Sequence, residues 1–312
     1  MDPARKHQKY EAWIAACRAL SPMRTAVVHP CDESSLVGAL NAAATGLIRA
    51  LLIGPEARIR TLAASLHLDL AGVQIVDTAH SHAAAEKAVQ MVRAGQVDAL
   101  MKGSLHTDEL MAEVVRKDTG LRTARRISHV FVMDVPTYAK PLLITDAAVN
   151  IFPTLEDKAD IVQNAIGLAQ ALGIAQPKVA ILSAVETITS KIPSTIDAAA
   201  LCKMAERGQI TGGVLDGPLA LDNAISRDAA AVKHLASPVA GDADILVVPD
   251  MEAGNLLAKE LSFLANADAA GIVLGARVPI ILTSRADNLR TRMASCAVAA
   301  LYAAAMRSPV KT

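Results

Sequence analysis

Short apolar runs alternate with longer amphipathic stretches along most of the chain. Residues 25–29, 50–54, 73–77 and 98–103 have the length of buried strands, and the stretches between them have the length of helices. Residues 127–133 form a further apolar run, expected to be an antiparallel or edge strand. Strands that alternate with helices in this way predict an α/β fold built on a parallel, doubly wound sheet.

A second series of the same kind begins near Pro141. Its predicted strands lie at residues 142–145, 179–182, 213–216, 245–249, 271–274 and 280–282. Helices are expected between most of them, and a long Ala-rich helix follows the last strand. The chain is therefore predicted to form two doubly wound α/β domains with mostly parallel sheets and a boundary near residues 136–141.

Composition limits the class of protein. Hydrophobic residues make up 52% and aromatic residues only 2%, so the core must be built from small aliphatic side chains. Lys plus Arg equal Asp plus Glu at 31 each, whereas a nucleic-acid-binding protein would usually show a basic excess. The four cysteines form no CxxC pair, which argues against zinc or disulfides and favours the reducing cytoplasm. No run approaches the roughly 18 apolar residues of a membrane span, so no membrane partner is expected.

The stretch 278–288 carries the most informative candidate chemistry. An apolar strand ends in Thr283 and is followed by Ser284, Arg285 and Asp287. Ligands of open α/β sheets bind beyond the carboxyl ends of strands, and a guanidinium fork there suits a phosphate. Asp287 is the obvious base. In the alternative interpretation, Asp287 or Asn288 caps the next helix and Arg285 is a surface residue.

Polar residues follow several other predicted strands. Loops held by a rigid sheet are where sites usually form, so these residues point to one cleft between the two domains. The alternative is that each one only caps a helix. The candidate binding residues of this kind are Lys102, Gly103, Ser104, Thr107, Asp146, Asn150, Glu186, Asp216, Asp250, Gly254 and Asn255.

The backbone amides of Gly103 and Ser104 could cradle a phosphate at the start of a helix. The P-loop spacing GxxxxGK(S/T) is absent, so this is not a P-loop. The GxGxxG fingerprint is also absent, so a nicotinamide dehydrogenase is not supported. A basic run, formed by Arg116, Lys117, Arg122, Arg125 and Arg126, is either a solvated surface or a docking site for the phosphates of a nucleotide-like ligand.

Six strings of residues are similar to those of a known family. They are Leu143–Ile151, Ser183–Glu186, Gly213–Ala224, Ser237–Leu246, Val248–Asn255 and Leu282–Asp287. Together they resemble the phosphate acetyltransferase and phosphate butyryltransferase family over about residues 98 to 306, with a nearer likeness to the butyryltransferase branch. The motifs add Asp222 and Asn223 to the candidate substrate-binding residues.

The resemblance implies the reaction acyl-CoA plus phosphate to acyl phosphate plus CoA, by direct thiol attack in a ternary complex. It implies coenzyme A as a substrate, no metal or other cofactor, and a homo-oligomer that is at least a dimer. It also implies a last helix that returns to the first domain, giving domains of residues 1–140 plus 290–312 and 141–289.

For the catalytic residues, the resemblance implies that Ser284 and Arg285 bind and polarise the acyl phosphate. The acetyl branch carries its thiol base several residues after this Arg, where the present chain has Thr291, so Asp287 is the candidate base. A further phosphate-binding Arg of that branch has no counterpart near Leu110 and Met111.

Three other functions fit parts of the pattern. A phosphate acyltransferase that uses an acyl carrier protein would need a basic docking surface such as residues 122–126. A metal-dependent dehydrogenase of similar shape could use Asp216, Asp222 and Asp250 as magnesium ligands. A non-catalytic protein that senses CoA esters would bind CoA without releasing its thiol.

Overall fold

The computed structural model describes residues 8–283 and 287–307 of the 312-residue chain. Eleven strands lie in this described part, and they bear out the predicted α/β fold class. The strands are β1 Met23–Val28, β2 Ile48–Gly54, β3 Gln74–Asp77, β4 Ala99–Lys102, β5 Ser128–Asp134, β6 Leu142–Thr145, β7 Lys178–Leu182, β8 Val214–Leu219, β9 Ile245–Val247, β10 Asp268–Leu274 and β11 Ile280–Ile281.

Helices separate most of these strands. In the described residues they are α1 Gln8–Cys17, α2 Glu33–Ala44, α3 Glu56–Ser65, α4 Ser81–Arg93, α5 Thr107–Val114, α6 Leu155–Ala171, α7 Pro193–Glu206, α8 Leu221–Ile225, α9 Arg227–Val232, α10 Met251–Phe263 and α11 Leu289–Arg307. None of the described helices is long and apolar enough to cross a membrane.

The chain divides into two compact units. The first unit contains residues 10–125 and 270–307, and the second contains residues 8–9 and 126–269. The division at 125/126 precedes the predicted boundary at 140/141 because β5 pairs antiparallel with β6 and so joins the second unit. The division at 269/270 likewise precedes the predicted return at 290, because β10 and β11 pair with each other and β11 pairs with β4.

The first unit has the strand order β3-β2-β1-β4-β11-β10. Neighbours from β3 to β11 are parallel, and β10 is antiparallel to β11. The chain runs outward from β1 to β3 and then crosses back to β4, so right-handed crossovers place α2 and α4 on opposite faces of the sheet. The loop after β1 enters α2, whereas the loop after β4 enters α5, which packs against α4. The two loops therefore diverge between the carboxyl ends of β1 and β4, which is where open α/β sheets bind ligands.

The second unit has the strand order β5-β6-β9-β7-β8, with all neighbours after β6 parallel. Strand β9 lies between β6 and β7, although it comes later in the chain. The loops that follow β6, β9 and β7 therefore begin at neighbouring positions, where the carboxyl ends of these strands lie side by side. The antiparallel pairing predicted for residues 127–133 is confirmed by the pairing of β5 with β6.

Candidate active site

The segment after β11 is only partly described. Ser284 and Arg285 lie outside the described residues, whereas Thr283 before them is buried and Asp287 after them is half-buried. Asn288 provides the helix cap that the alternative interpretation required, because its Oδ1 accepts a hydrogen bond of 2.9 Å from the amide of Thr291. Since Asn288 performs this capping, the carboxylate of Asp287 is not needed for it.

The carboxyl end of β4 places a buried cation beside this segment's strand. Lys102 is 7% exposed, and its Nζ donates a 3.2 Å hydrogen bond to the carbonyl of Gly103. The residue after Lys102 must be glycine, because a Cβ on Gly103 would lie 2.4 Å from the carbonyl oxygen of Val28. This close approach fixes the loop after β4 directly against the loop after β1.

The amides of Gly103 and Ser104 do not match the predicted phosphate cradle. The Gly103 amide donates to the carbonyl of Val28, and the Ser104 amide donates to the carbonyl of His29, each at 2.9 Å. The Ser104 hydroxyl also donates to His29 and accepts from the amide of Cys31. These groups hold β4 to β1.

Thr107 is the half-buried first residue of α5, two residues before the Glu109 that completes a capping box.

The loop after β1 carries polar residues that the sequence analysis did not select. Asp32 caps α2, with its Oδ1 accepting from the Ser35 amide at 2.8 Å and from the Ser34 hydroxyl at 3.1 Å. Burial raises the pKa of Asp32, but these hydrogen bonds outweigh it and hold the pKa below its ordinary value. Burial and the nearby Arg58 lower the pKa of His29.

The guanidinium of Arg292, in α11, contacts residues from two other parts of the first unit. Arg292 is buried and donates to the hydroxyls of Thr283 and Ser34. Burial lowers its pKa, and the carboxylates of Asp287 and Asp32 act in the opposite direction. Nothing in the sequence pattern distinguished Arg292 from Arg290 in the same helical turn. Gly38 in α2 makes room for the Arg292 side chain, but it is distant in the sequence, so only coordinates relate the two residues.

Asp146 and Asn150 come together at the carboxyl end of β6. Asp146 accepts hydrogen bonds from the amides of His129, Ala148 and Val149 and from the side chain of Asn150. Asn150 also donates to the carbonyl of Ile127. Both residues are buried, so in this arrangement they hold the loop after β6 in place.

Helix α10 packs its first turns against the same loop. Asp250 caps the helix by accepting from the Ala253 amide at 2.9 Å. Gly254 allows close approach, since a Cβ there would lie 2.7 Å from the carbonyl oxygen of Asp146. Asn255 donates to the carbonyl of Ala147 at 3.2 Å. For Asp250, capping is thus the role that its observed hydrogen bond supports.

Glu186 and Asn223 form a second polar cluster, beyond the carboxyl end of β7. Glu186 accepts hydrogen bonds from the side chains of Asn223 and Lys233. The Asn223 side chain is fully buried, and its Oδ1 has no hydrogen-bond partner among the residues that the structure describes. Asp222, the neighbour of Asn223 in α8, is exposed.

Asp216 is not at the end of a strand as predicted. Strand β8 continues to Leu219, so Asp216 lies inside it, paired in register with Ala180. Its Oδ1 accepts from the amide of Gly217. The expectation failed because the Gly217-Pro218 dipeptide, which usually ends a strand, is accommodated within β8.

The basic run is mostly exposed, as the simpler interpretation predicted. Arg116, Lys117, Arg122 and Arg125 are all solvent-exposed. Arg126 is exposed as well, and its Nε donates to Asn150 Oδ1 at 2.7 Å while its Nη1 lies 3.4 Å from Asp157. Within residues 8–283 and 287–307, no group of three or more His, Cys, Asp or Glu side chains is arranged to hold a metal ion.

Comparisons with known proteins agree with the resemblance. The family model described as "Phosphate acetyl/butaryl transferase" matches residues 82–300. A phosphate acetyltransferase of Rhizobium meliloti is 68% identical over 300 residues, covering 96% of this chain and 95% of that protein. A phosphate butyryltransferase of Clostridium acetobutylicum is 42% identical over 280 residues, covering 90% and 93%. Between these two relatives, the expected nearer likeness to the butyryltransferase does not hold.

A solved structure extends the agreement to the fold. The branched-chain phosphotransacylase from Enterococcus faecalis V583 superposes with a TM-score of 0.78 at 31% identity. The superposition covers 90% of this chain and 99% of that one.

Proposed function

Because the chain belongs to the phosphate acetyltransferase and phosphate butyryltransferase family, we propose that it converts acetyl-CoA and phosphate to acetyl phosphate and CoA, reversibly. The observation that carries this proposal is the high identity, over nearly the whole chain, to a phosphate acetyltransferase. Acetyl is proposed over butyryl because the identity to the butyryltransferase is much lower. The protein is thus an acyltransferase that uses coenzyme A as a substrate and needs no metal or prosthetic group.

The proposed chemistry is a direct transfer in a ternary complex. In the direction of acetyl-CoA synthesis, the CoA sulfur attacks the carbonyl carbon of acetyl phosphate, the carbon–oxygen bond to phosphate breaks, and phosphate leaves. A free thiol has a pKa of about 8.5, so a base that removes its proton raises the rate. Asp287 is proposed as this base. Holding both substrates in one geometry contributes several kcal/mol without an enzyme nucleophile.

Arg285 and Ser284 are proposed to act on the phosphate side of the reaction. A guanidinium matches two phosphate oxygens at once, and a hydroxyl donor stabilises the oxyanion that develops on the carbonyl. Lys102 supports this assignment, because it adds a second, buried cation at the carboxyl end of β4, the strand that pairs with β11. Thr107, Glu186, Asp222 and Asn223 remain proposed substrate-binding residues.

The remaining candidates are proposed to position the site. Asp146, Asn150, Gly254 and Asn255 direct their hydrogen bonds or their close contacts to protein atoms. Asp216 bonds its own neighbour, and Gly103 and Ser104 join two loops. Their substitution is expected to act through the shape of the loops.

We further propose that the protein is a cytoplasmic homodimer. Cys17, Cys31, Cys202 and Cys296 are free, as expected in a reducing compartment. The exposed face of α10 supports the dimer, because Leu256 and Phe263 are 68% and 81% exposed and lie seven residues apart on one side. Lys259 and Glu260 lie between them and are exposed. An antiparallel pairing of two copies would bury both apolar side chains and bring opposite charges together.

The test is thiol release from acetyl-, propionyl- and butyryl-CoA, each with and without phosphate. The proposal predicts phosphate-dependent thiol release that is fastest with acetyl-CoA and is unchanged by a strong chelator. Thiol release at the same rate with and without phosphate, or tight CoA binding with no thiol release, would contradict the proposal. An arm with an acetylated acyl carrier protein tests the exposed Arg122 and Arg125 as a docking surface, and faster turnover there would replace CoA as the substrate.

A further inference from the structure

Arg292 is a buried arginine that neither the motifs nor the proposed chemistry includes. It lies in the first turns of α11 and is 3% exposed. Its Nη1 donates to the Thr283 hydroxyl at 2.8 Å, and its Nη2 donates to the Ser34 hydroxyl at 3.2 Å. One side chain thereby ties the residue before Ser284 to the first turn of α2.

Helix α2 has a gap that accommodates this arginine. Gly38 lies inside α2, and a Cβ there would be 2.7 Å from the Cδ of Arg292. Glycine within a helix is less favourable than alanine, because it loses more backbone entropy on folding. The aliphatic stem of Arg292 fills this gap. Gly38 therefore weakens helix α2, but it leaves room for the buried guanidinium.

Stability alone does not account for a cation in this place. An arginine keeps its charge when buried, and desolvating it is unfavourable unless carboxylates and hydroxyls compensate. Here Asp32 and Asp287 supply the negative charge, and Asp32 also accepts from the Ser34 hydroxyl that Arg292 contacts. Apolar residues of similar volume often replace such buried charges without loss of stability. The unfavourable desolvation of this charge therefore favours a role for Arg292 beyond packing.

We propose that Arg292 is a positioning residue of the acyl transfer: it fixes Thr283, which follows β11, against the N-terminus of α2, and its charge attracts Asp287, the proposed base. This inference rests on the proposed function. Arg292 contacts no substrate in this account. It acts by holding Thr283, and misplacing reacting groups by about 1 Å can lower a rate roughly 100-fold.

The first test compares Arg292→Met with Arg292→Lys in the thiol-release assay. The methionine variant is expected to lose about tenfold or more in kcat, with KM for CoA changed less than about threefold, because alignment is lost and CoA contacts remain. The lysine variant retains charge and donors and should regain a large part of kcat. A folded methionine variant with kcat within about twofold of wild type would overturn the proposal.

The matched control is Arg24→Met. Arg24 makes a bidentate ion pair with Asp98 near the start of β1, at the opposite end of the strand from Asp32. The Arg24→Met variant should have a slightly lower melting temperature than wild type and an unchanged kcat. If Arg24→Met and Arg292→Met reduced kcat equally at equal loss of stability, Arg292 would be only structural.

A second pair of variants avoids removing the arginine. Gly38→Ala places a methyl group against the Arg292 stem and should displace its fork, lowering kcat. Gly167→Ala is its control, because the added Cβ at that helical glycine in α6 would have no described atom within 4 Å apart from its chain neighbours and its own helix backbone. Unchanged kcat in folded Gly38→Ala would count against the proposal, even if Arg292→Met failed to fold. Absent phosphate-dependent activity in wild type would instead refute the proposed function and leave no rate for these variants to change.

Discussion

Asp146 shows how a buried carboxylate can serve the shape of a site. It is 3% exposed and accepts four hydrogen bonds, three from backbone amides and one from Asn150. A carboxylate offers about four lone-pair sites, so these partners use its whole capacity. The carboxylate of Asp146 therefore stabilises the loop after β6. Asn150 extends this hydrogen-bond network, because its Oδ1 accepts a hydrogen bond from Arg126.

Asp146→Ala is expected to destabilise the protein by about 3–5 kcal/mol, because it leaves several buried donors without an acceptor. Urea unfolding of the purified variant measures this loss. Asp222→Ala is the control, since Asp222 is another predicted site carboxylate but is exposed, and its removal should cost less than about 0.5 kcal/mol. Equal stability of the two variants would show that the Asp146 hydrogen bonds contribute nothing.

The sequence predicted the identity of many of these residues, with helix capping as the alternative to a binding role. Asp250 and Asn150 were selected because they follow strands, and the structure shows one capping a helix and the other holding a loop. Arg292 was not selected at all. A residue's partners come from distant parts of the chain, as with Arg292 and Ser34, and no local pattern encodes such pairs.

At the scale of elements, apolar runs bounded by turn residues predicted strands well. Residues 142–145 match β6 at both ends, and helix α2 lies in the stretch between the first two predicted strands that was expected to be helical. The errors have physical causes. Strand β8 runs through Gly217-Pro218, and β11 covers two of the three residues predicted for it. Neighbour relations, such as β9 between β6 and β7, depend on long-range pairing.

The contact between α10 and the loop after β6 gives an element-scale prediction. Gly254→Ala should destabilise the protein by about 1–3 kcal/mol, because the new Cβ would approach a backbone carbonyl that cannot move aside. Gly167→Ala, made in the open part of α6, should instead stabilise it by about 0.5–1 kcal/mol. Urea midpoints of both variants provide the measurement. A Gly254→Ala variant as stable as Gly167→Ala would mean that α10 can shift away from Asp146.

At the scale of the whole molecule, the exposed apolar face of α10 predicts the state of association. Phe263→Glu should convert the proposed dimer to a monomer, because it places a charge among the apolar side chains that the pairing buries. Sedimentation equilibrium measures this change. Val232→Glu is the control, since Val232 is 79% exposed but lies on α9. A monomeric wild type, or a dimer that survives Phe263→Glu, would contradict the assignment of this surface.

The family, fold class and mostly parallel sheets were all within reach of the sequence, because motif strings and hydrophobic periods are local. The division of the chain was not, since β5 and β10 join their units through strand pairing. The catalytic assignment of Ser284, Arg285 and Asp287 remains a prediction, and it is the claim on which the proposed chemistry depends.

The most direct test measures acetyl phosphate formed from acetyl-CoA and phosphate, by wild type and by Arg285→Ala, alongside thiol release. The account predicts equal amounts of acetyl phosphate and free CoA from wild type. It predicts a loss of about 100-fold or more in turnover for the folded Arg285→Ala variant, because the phosphate loses its principal cation. An Arg285→Ala variant with near-normal turnover would contradict the account.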